Sequence, residues 1–238
     1  MLNEWLKGQA ERLGLALTEQ HLQQLRVYSQ LLREWNQRIN LTSITELEAI
    51  YELHFLDSLS VQLAVDLKRM NSLVDVGTGA GFPGLVMAIV FDQLEVTLLD
   101  STRKKVDFLR LVASELGLLD RVHTVCMRAE EAGRQKGLRD SFEVVVSRGV
   151  ARLSVLAEYC LPLASTGGLF VAMKGPDVAA EMQEAKKAFT TLGGGEGKCL
   201  PWVLPSGAGR SLVCVPKLSS TPSGYPRRVG LPAKRPVS

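Results

Sequence analysis

Asp75 opens a run of side-chain-free positions, Gly77, Gly79, Gly81 and Gly84, directly after the short apolar segment Leu73-Val-Asp-Val76. Glycines at the end of a strand let a ligand touch backbone, and a helix starting near Gly84 offers N–H groups without intrahelical partners. A second apolar segment, Glu95 to Leu99, ends at Asp100, 23 residues after Gly77. A carboxylate there can accept hydrogen bonds from both hydroxyls of an adenosine ribose. Loop and acid together point to a nucleoside-binding site; the plainer alternative is a glycine-rich turn with a capping aspartate.

The surrounding pattern supplies elements that could hold such a site. Up to about Asn71 the chain reads as helical: Thr18 is a candidate N-cap, and Leu22, Leu25, Tyr28, Leu32, Trp35 and Ile39 follow at the spacing of one buried helix face. A second helical stretch begins after Thr45. From Ser72 strands alternate with helices: a helix near Gly84 to Val90, another from about Thr102 to Leu116, and strands at Val122 to Cys126, Phe142 to Ser147 and Gly168 to Met173. Nearly continuous apolar strands separated by helices predict an α/β fold with a mostly parallel sheet covered on both faces. Residues 198–216 read as two closing strands, an antiparallel pair. The expected division is an N-terminal helical region (1–71), a core (72–216) and a basic Pro/Arg-rich tail (217–238).

Composition narrows the function classes. Hydrophobic residues make up 46% and charged residues 22%, ordinary for a globular protein, and no run of 18 apolar residues is present to span a membrane. Glu4, Lys7, Glu11 and Arg12 interrupt any signal-like apolar stretch, so a cytoplasmic location is expected. Cys126, Cys160, Cys199 and Cys214 lie far apart, as do His21, His54 and His123; no metal site is expected. The tail carries Lys217, Arg227, Arg228, Lys234 and Arg235 and no acid, which leaves the other 216 residues at −2. It reads either as an arm that meets phosphates or as a solvated terminus.

Two cofactors could use the glycine loop. Gly79-Ala-Gly81-Phe-Pro-Gly84 matches the dinucleotide pattern G-x-G-x-x-G, but it begins four residues after Asp75, late for a turn that must leave the strand at once. The register Asp75-x-Gly77-x-Gly79-x-Gly81 resembles methyltransferase motif I, which favours S-adenosyl-L-methionine and a Rossmann-like class I methyltransferase core. The acceptor is narrowed by elimination. Exocyclic-amine methyltransferases resemble one another in a D/N-P-P-Y/F segment after the fourth strand; here Ser147-Arg148-Gly149-Val150 stands there. Cytosine C5 chemistry needs an attacking thiol, usually in Pro-Cys, and that dipeptide is absent. Guanine N7 needs neither device, because its lone pair is already nucleophilic.

In order and spacing, Asn40-Leu-Thr42, His54-Phe-Leu-Asp-Ser58, Asp75 to Gly84, Asp100 with Arg103-Lys-Lys105, Arg128-Ala-Glu130, Ser147-Arg148 and Lys174-Gly175 resemble the bacterial small-subunit rRNA guanine-N7 methyltransferases, also called glucose-inhibited division protein B. The ending Tyr225-Pro-Arg-Arg-Val-Gly-Leu-Pro resembles that of one subset of the family. The resemblance implies that Gly77, Gly79 and Phe82 line the cofactor site, that Asp100, Ser101 and Thr102 flank the adenosine, and that Ala129 and Glu130 sit near the adenine. Arg148 would meet the cofactor or the acceptor pocket, and Arg148 and Lys174 are the expected catalytic side chains. Arg103, Lys104, Lys174, Arg210, Arg227 and Arg228 would face RNA, the partner being 16S rRNA or the small ribosomal subunit and the chain a monomer. His54 and Asp57 would lie toward the RNA side. Many relatives have His after the position of Arg210; here it is Ser211, so no role for that imidazole carries over. A nicotinamide-dependent oxidoreductase, a small-molecule methyltransferase and a non-catalytic RNA-binding protein on the same fold remain as alternatives.

Overall fold

Segments such as Val144–Val146 have no polar face to offer solvent, so a sheet built from them must be covered on both sides. The computed structural model, which describes residues 1–237, has that arrangement. Its strands are β1 (Ser72–Val76), β2 (Glu95–Asp100), β3 (Val122–Cys126), β4 (Phe142–Arg148), β5 (Ala164–Lys174), β6 (Lys198–Val203) and β7 (Gly209–Pro216). They form one sheet in the order β3-β2-β1-β4-β5-β7-β6. The first five run parallel, and β7 is antiparallel to both β5 and β6. The strand order reverses between β1 and β4, which opens a crevice at the carboxyl ends of these strands.

One face is covered by α1 (Leu2–Arg12), α2 (Glu19–Asn36), α5 (Gly84–Val90) and α6 (Arg103–Glu115). The other carries α7 (Ala129–Ala132), α8 (Leu153–Cys160) and α9 (Ala179–Thr191). The N-terminal helices thus share the core of the sheet. Thr18 caps α2 as its position predicts: its hydroxyl accepts from the His21 N–H at 3.2 Å, and the His21 ring accepts from the Thr18 N–H at 3.3 Å. The second helical stretch is broken into α3 (Leu47–Ile50), a π-helical turn (Tyr51–Leu56), α4 (Asp57–Leu59) and a 3-10 turn (Ser60–Leu63). Wide π turns loosen the side-chain register and recur at functional sites; this one carries His54 and ends beside Asp57.

The expected irregular tail has one short helix, α10 (Leu231–Lys234), and it is fastened to the core. Lys217 is buried, with its ammonium on the Leu161 and Leu192 carbonyls. Further on, Arg134 donates to the Pro226 carbonyl (2.6 Å) and Arg139 to that of Tyr225 (2.8 Å). No helix among the described residues is long and apolar enough to cross a membrane.

Candidate active site

Asp75 builds the glycine loop from inside. Its Oδ2 accepts from the Thr78 hydroxyl (2.7 Å) and from the Gly84 N–H at the start of α5 (2.8 Å), while Oδ1 is buried without a partner. A Cβ on Gly84 would lie 2.9 Å from that of Asp75, so only glycine lets α5 begin this close to β1. The N-terminal helices prop the loop from below: Tyr28 donates to the Ala80 carbonyl (2.6 Å) and stacks on Phe82 at 5.2 Å. Burial raises the Asp75 carboxyl to about 6, against the opposing pull of its two hydrogen bonds. A raised folded-state value stabilises the fold fully below about pH 4 and loses that contribution as pH rises through about 6. The stability advantage of wild type over Asp75→Asn is therefore expected to shrink from pH 4 to pH 7 by on the order of 2–3 kcal/mol, read by urea denaturation across pH. A difference independent of pH would show that the carboxyl titrates normally.

The first of two cavities, about 280 Å³, lies over the ends of β1, β2 and β4. Gly77, Asp100, Ser101, Thr102, Ala129 and Glu130 all line it. Gly77 has φ +71°, and a Cβ there would strike Val150 at 2.5 Å, so the floor of the cavity requires glycine. Asp100 is only 8% exposed. Its Oδ2 accepts from the Gly79 N–H (3.0 Å) and its Oδ1 from the Thr102 N–H (2.8 Å), which leaves each oxygen a further acceptor direction. A side-chain-free floor, an acid with spare acceptors and the apolar flanks Val76, Leu99, Met127 and Val150 fit a nucleoside. Gly79 takes part through its N–H on Asp100 and does not line the cavity.

The second cavity, about 540 Å³, is walled by Thr42, His54, Asp57, Arg148, Lys174 and Arg210, and Gly149 lines both cavities. Arg148 at the end of β4 donates through Nη1 to the Leu53 carbonyl (3.0 Å) and to Asp57 Oδ2 (3.0 Å). Arg210 reaches the other oxygen of Asp57 at 3.2 Å, so one buried carboxylate holds two guanidinium groups. Arg148 Nη2 lies 3.1 Å from His54 Nδ1. The Leu53 carbonyl lies at the same 3.1 Å from Nδ1, and Nε2 pairs with the Thr42 hydroxyl at 2.9 Å, so both ring nitrogens are engaged by protein groups. Burial and the neighbouring guanidinium push His54 down to about 3, so the imidazole is neutral near pH 7. Lys174, at the end of β5, donates to Glu181 (2.8 Å) and to the Ala151 carbonyl (3.2 Å).

Phe82 lies beneath this second cavity and does not line the first: His54 stacks on its ring at 4.3 Å and the Arg148 guanidinium lies over it at 5.1 Å. Arg103 and Lys104 are exposed on the first turn of α6, beside Thr102 and Lys105 of the first cavity. The tail arginines part company. Arg228 is exposed, whereas Arg227 grips Glu158 through Nε (2.9 Å) and Nη2 (2.6 Å). Lys105, Met127, Arg128, Val150 and Tyr159 also line the first cavity, and of these Met127, Val150 and Tyr159 escape sequence reasoning. Arg128 was within reach of the rule that sites gather after the carboxyl ends of parallel strands; the apolar members carry no such signal.

A family model described as rRNA small subunit methyltransferase G matches residues 21–200. Ribosomal RNA small subunit methyltransferase G of Alkaliphilus metalliredigens is 44% identical over 98% of this chain and 97% of its own length. The protein of the same name from an Exiguobacterium species is 47% identical over 94% of each chain. Among solved structures, geranyl diphosphate C-methyltransferase from Streptomyces coelicolor A3(2), determined with S-adenosyl-L-homocysteine, superposes with a TM-score of 0.55. That match covers 80% of this chain and 98% of the other at 15% identity, a likeness of fold alone. With a family match across most of the core and relatives aligned almost end to end, this chain belongs to the rRNA small subunit methyltransferase G family.

Proposed function

We propose that this chain transfers a methyl group from S-adenosyl-L-methionine to N7 of one guanine in 16S rRNA, acting in the cytoplasm on naked RNA or the small ribosomal subunit. The observation that carries this reading is the pair of cavities meeting at Gly149, one suited to a nucleoside and the other rimmed by Arg148, Lys174 and Arg210. Gly77, Asp100, Ser101, Thr102, Ala129 and Glu130 would hold the cofactor, which when bound supplies an electrophilic methyl group on a sulfonium. The literal dinucleotide pattern loses its support, because Gly77, which precedes that pattern, is the glycine that lines the cavity.

The side chains around the second cavity suit a nucleophile that needs no deprotonation. His54 has Nδ1 against Arg148 and the Leu53 carbonyl and Nε2 against Thr42, so neither nitrogen is free to act as a general base. A purine ring gains positive charge as its N7 is methylated, and a bare cation beside it would oppose that change. Arg148 and Lys174 are each paired with a carboxylate, Asp57 and Glu181. They can donate to O6 or to phosphate while their charge is largely balanced, and catalysis then rests on holding N7 in line with the methyl. Exposed Arg103, Lys104 and Arg228 are suited to phosphates outside the cavity.

The test is methyl transfer from labelled S-adenosyl-L-methionine to 16S rRNA and to small subunits from cells lacking the protein, with the product mapped by nucleoside analysis. N7-methylguanine at one position is the expected result, with a rate that shows no titration of His54 between pH 5 and 8. Label on another atom would move the acceptor chemistry away from N7, and a bell-shaped profile centred there would reassign His54.

A further inference from the structure

Glu130 is buried in the wall of the first cavity, and its hydrogen-bond partner comes from the far end of the chain. The Gly230 N–H donates to Glu130 Oε1 at 2.9 Å, across a sequence separation of 100 residues. Beside Glu130 stands Tyr159, whose phenol is raised by burial and by the Glu130 carboxylate. Gly230 presents this N–H from the left-handed region, φ +78°, which branched side chains avoid. The approach is anchored three residues earlier, where Arg227 closes on Glu158, a fully buried carboxylate on α8, the helix that also carries Tyr159. Arg134 and Arg139 hold the Pro226 and Tyr225 carbonyls, and Pro232 is buried just beyond.

We propose that residues 225–234 form a strap belonging to the cofactor site, with Gly230 as a positioning residue that acts through Glu130. The inference rests on the reading of the first cavity as the S-adenosyl-L-methionine site. A carboxylate only 5% exposed is expensive to leave without a donor. When the strap lifts, Glu130 loses the Gly230 donor and keeps only the neighbouring Tyr159 phenol, which loosens that wall of the cavity. Coupling of this kind is reciprocal: a ligand that favours the docked strap must make the strap harder to open.

The experiment uses the full chain and S-adenosyl-L-homocysteine as the probe. In calorimetry, Gly230→Val weakens binding about tenfold, the loss of one hydrogen bond to a charged group. Gly230→Asn, which tolerates the left-handed region, stays within about threefold of wild type. In turnover, Gly230→Val raises the KM for S-adenosyl-L-methionine with kcat little changed, a split that general loosening of the fold does not give. Independently of any variant, saturating S-adenosyl-L-homocysteine slows hydrogen exchange of the wild-type amides in 225–234, Gly230 included. Unchanged exchange there, in a chain that binds the probe, overturns the coupling and leaves the cavity reading intact. A wild-type chain that does not bind the probe removes the cavity reading, and the proposal falls with it.

Discussion

Asp100→Ala is expected to weaken S-adenosyl-L-homocysteine binding by at least about 100-fold. The carboxylate sits in the wall of the first cavity at the end of β2, and two losses coincide on its removal. The ribose hydroxyls lose a charged acceptor, at about 1.5–3 kcal/mol for each such hydrogen bond. The Gly79 and Thr102 N–H groups lose theirs as well, so the glycine loop keeps only the backbone ties of Gly77 and Thr78 to the Leu99 carbonyl of β2. Asp100→Asn keeps one carbonyl oxygen and should fall between. Titration calorimetry, with melting temperature as the check on folding, reads both variants. An Asp100→Ala chain that folds and binds like wild type would place the nucleoside elsewhere.

The second large effect belongs to Asp57, and it separates the two cavities. Asp57 is 3% exposed and accepts from Arg148 at 3.0 Å and Arg210 at 3.2 Å. Asp57→Ala leaves two guanidinium groups without their shared counter-charge, at a stability cost of about 3–5 kcal/mol. The released Arg148 no longer holds His54 and the Leu53 carbonyl in place, and kcat should fall by about 100-fold or more. Asp57 does not line the first cavity, so S-adenosyl-L-homocysteine affinity should stay within about threefold. Asp57→Asn preserves shape and one acceptor and provides the folded comparison. Loss of cofactor affinity in parallel with kcat would merge the two cavities into one site; an unchanged kcat would remove the Asp57 bridge from the mechanism.

The sequence by itself determined the alternation that builds the sheet, the cap of α2 at Thr18, the start of α5 at Gly84 and the end of β2 at Asp100. These follow from short-range causes, the period of apolar residues and the backbone freedom of glycine, which are written in neighbouring positions. The same locality brought the glycine loop and Asp100 together, because residues just after parallel strands converge on one edge of the sheet, while Ser101, Thr102, Ala129 and Glu130 were implied by the family resemblance. Local pattern does not carry pairings between distant segments, and those were left to the tertiary structure. It put Phe82 under Arg148 and His54 rather than in the wall of the first cavity, because the N-terminal helices supply an aromatic cluster on that side. It tied Arg148 and Arg210 to one carboxylate, Asp57, which the resemblance placed only toward the RNA side. It also turned a tail that composition reads as a loose basic arm into a docked strap: Lys217 and Arg227 meet buried acceptors set by α8, where desolvation makes an unpaired partner expensive. Net charge is a sum over the chain, whereas the partner of each charge is a matter of which surfaces the fold brings together.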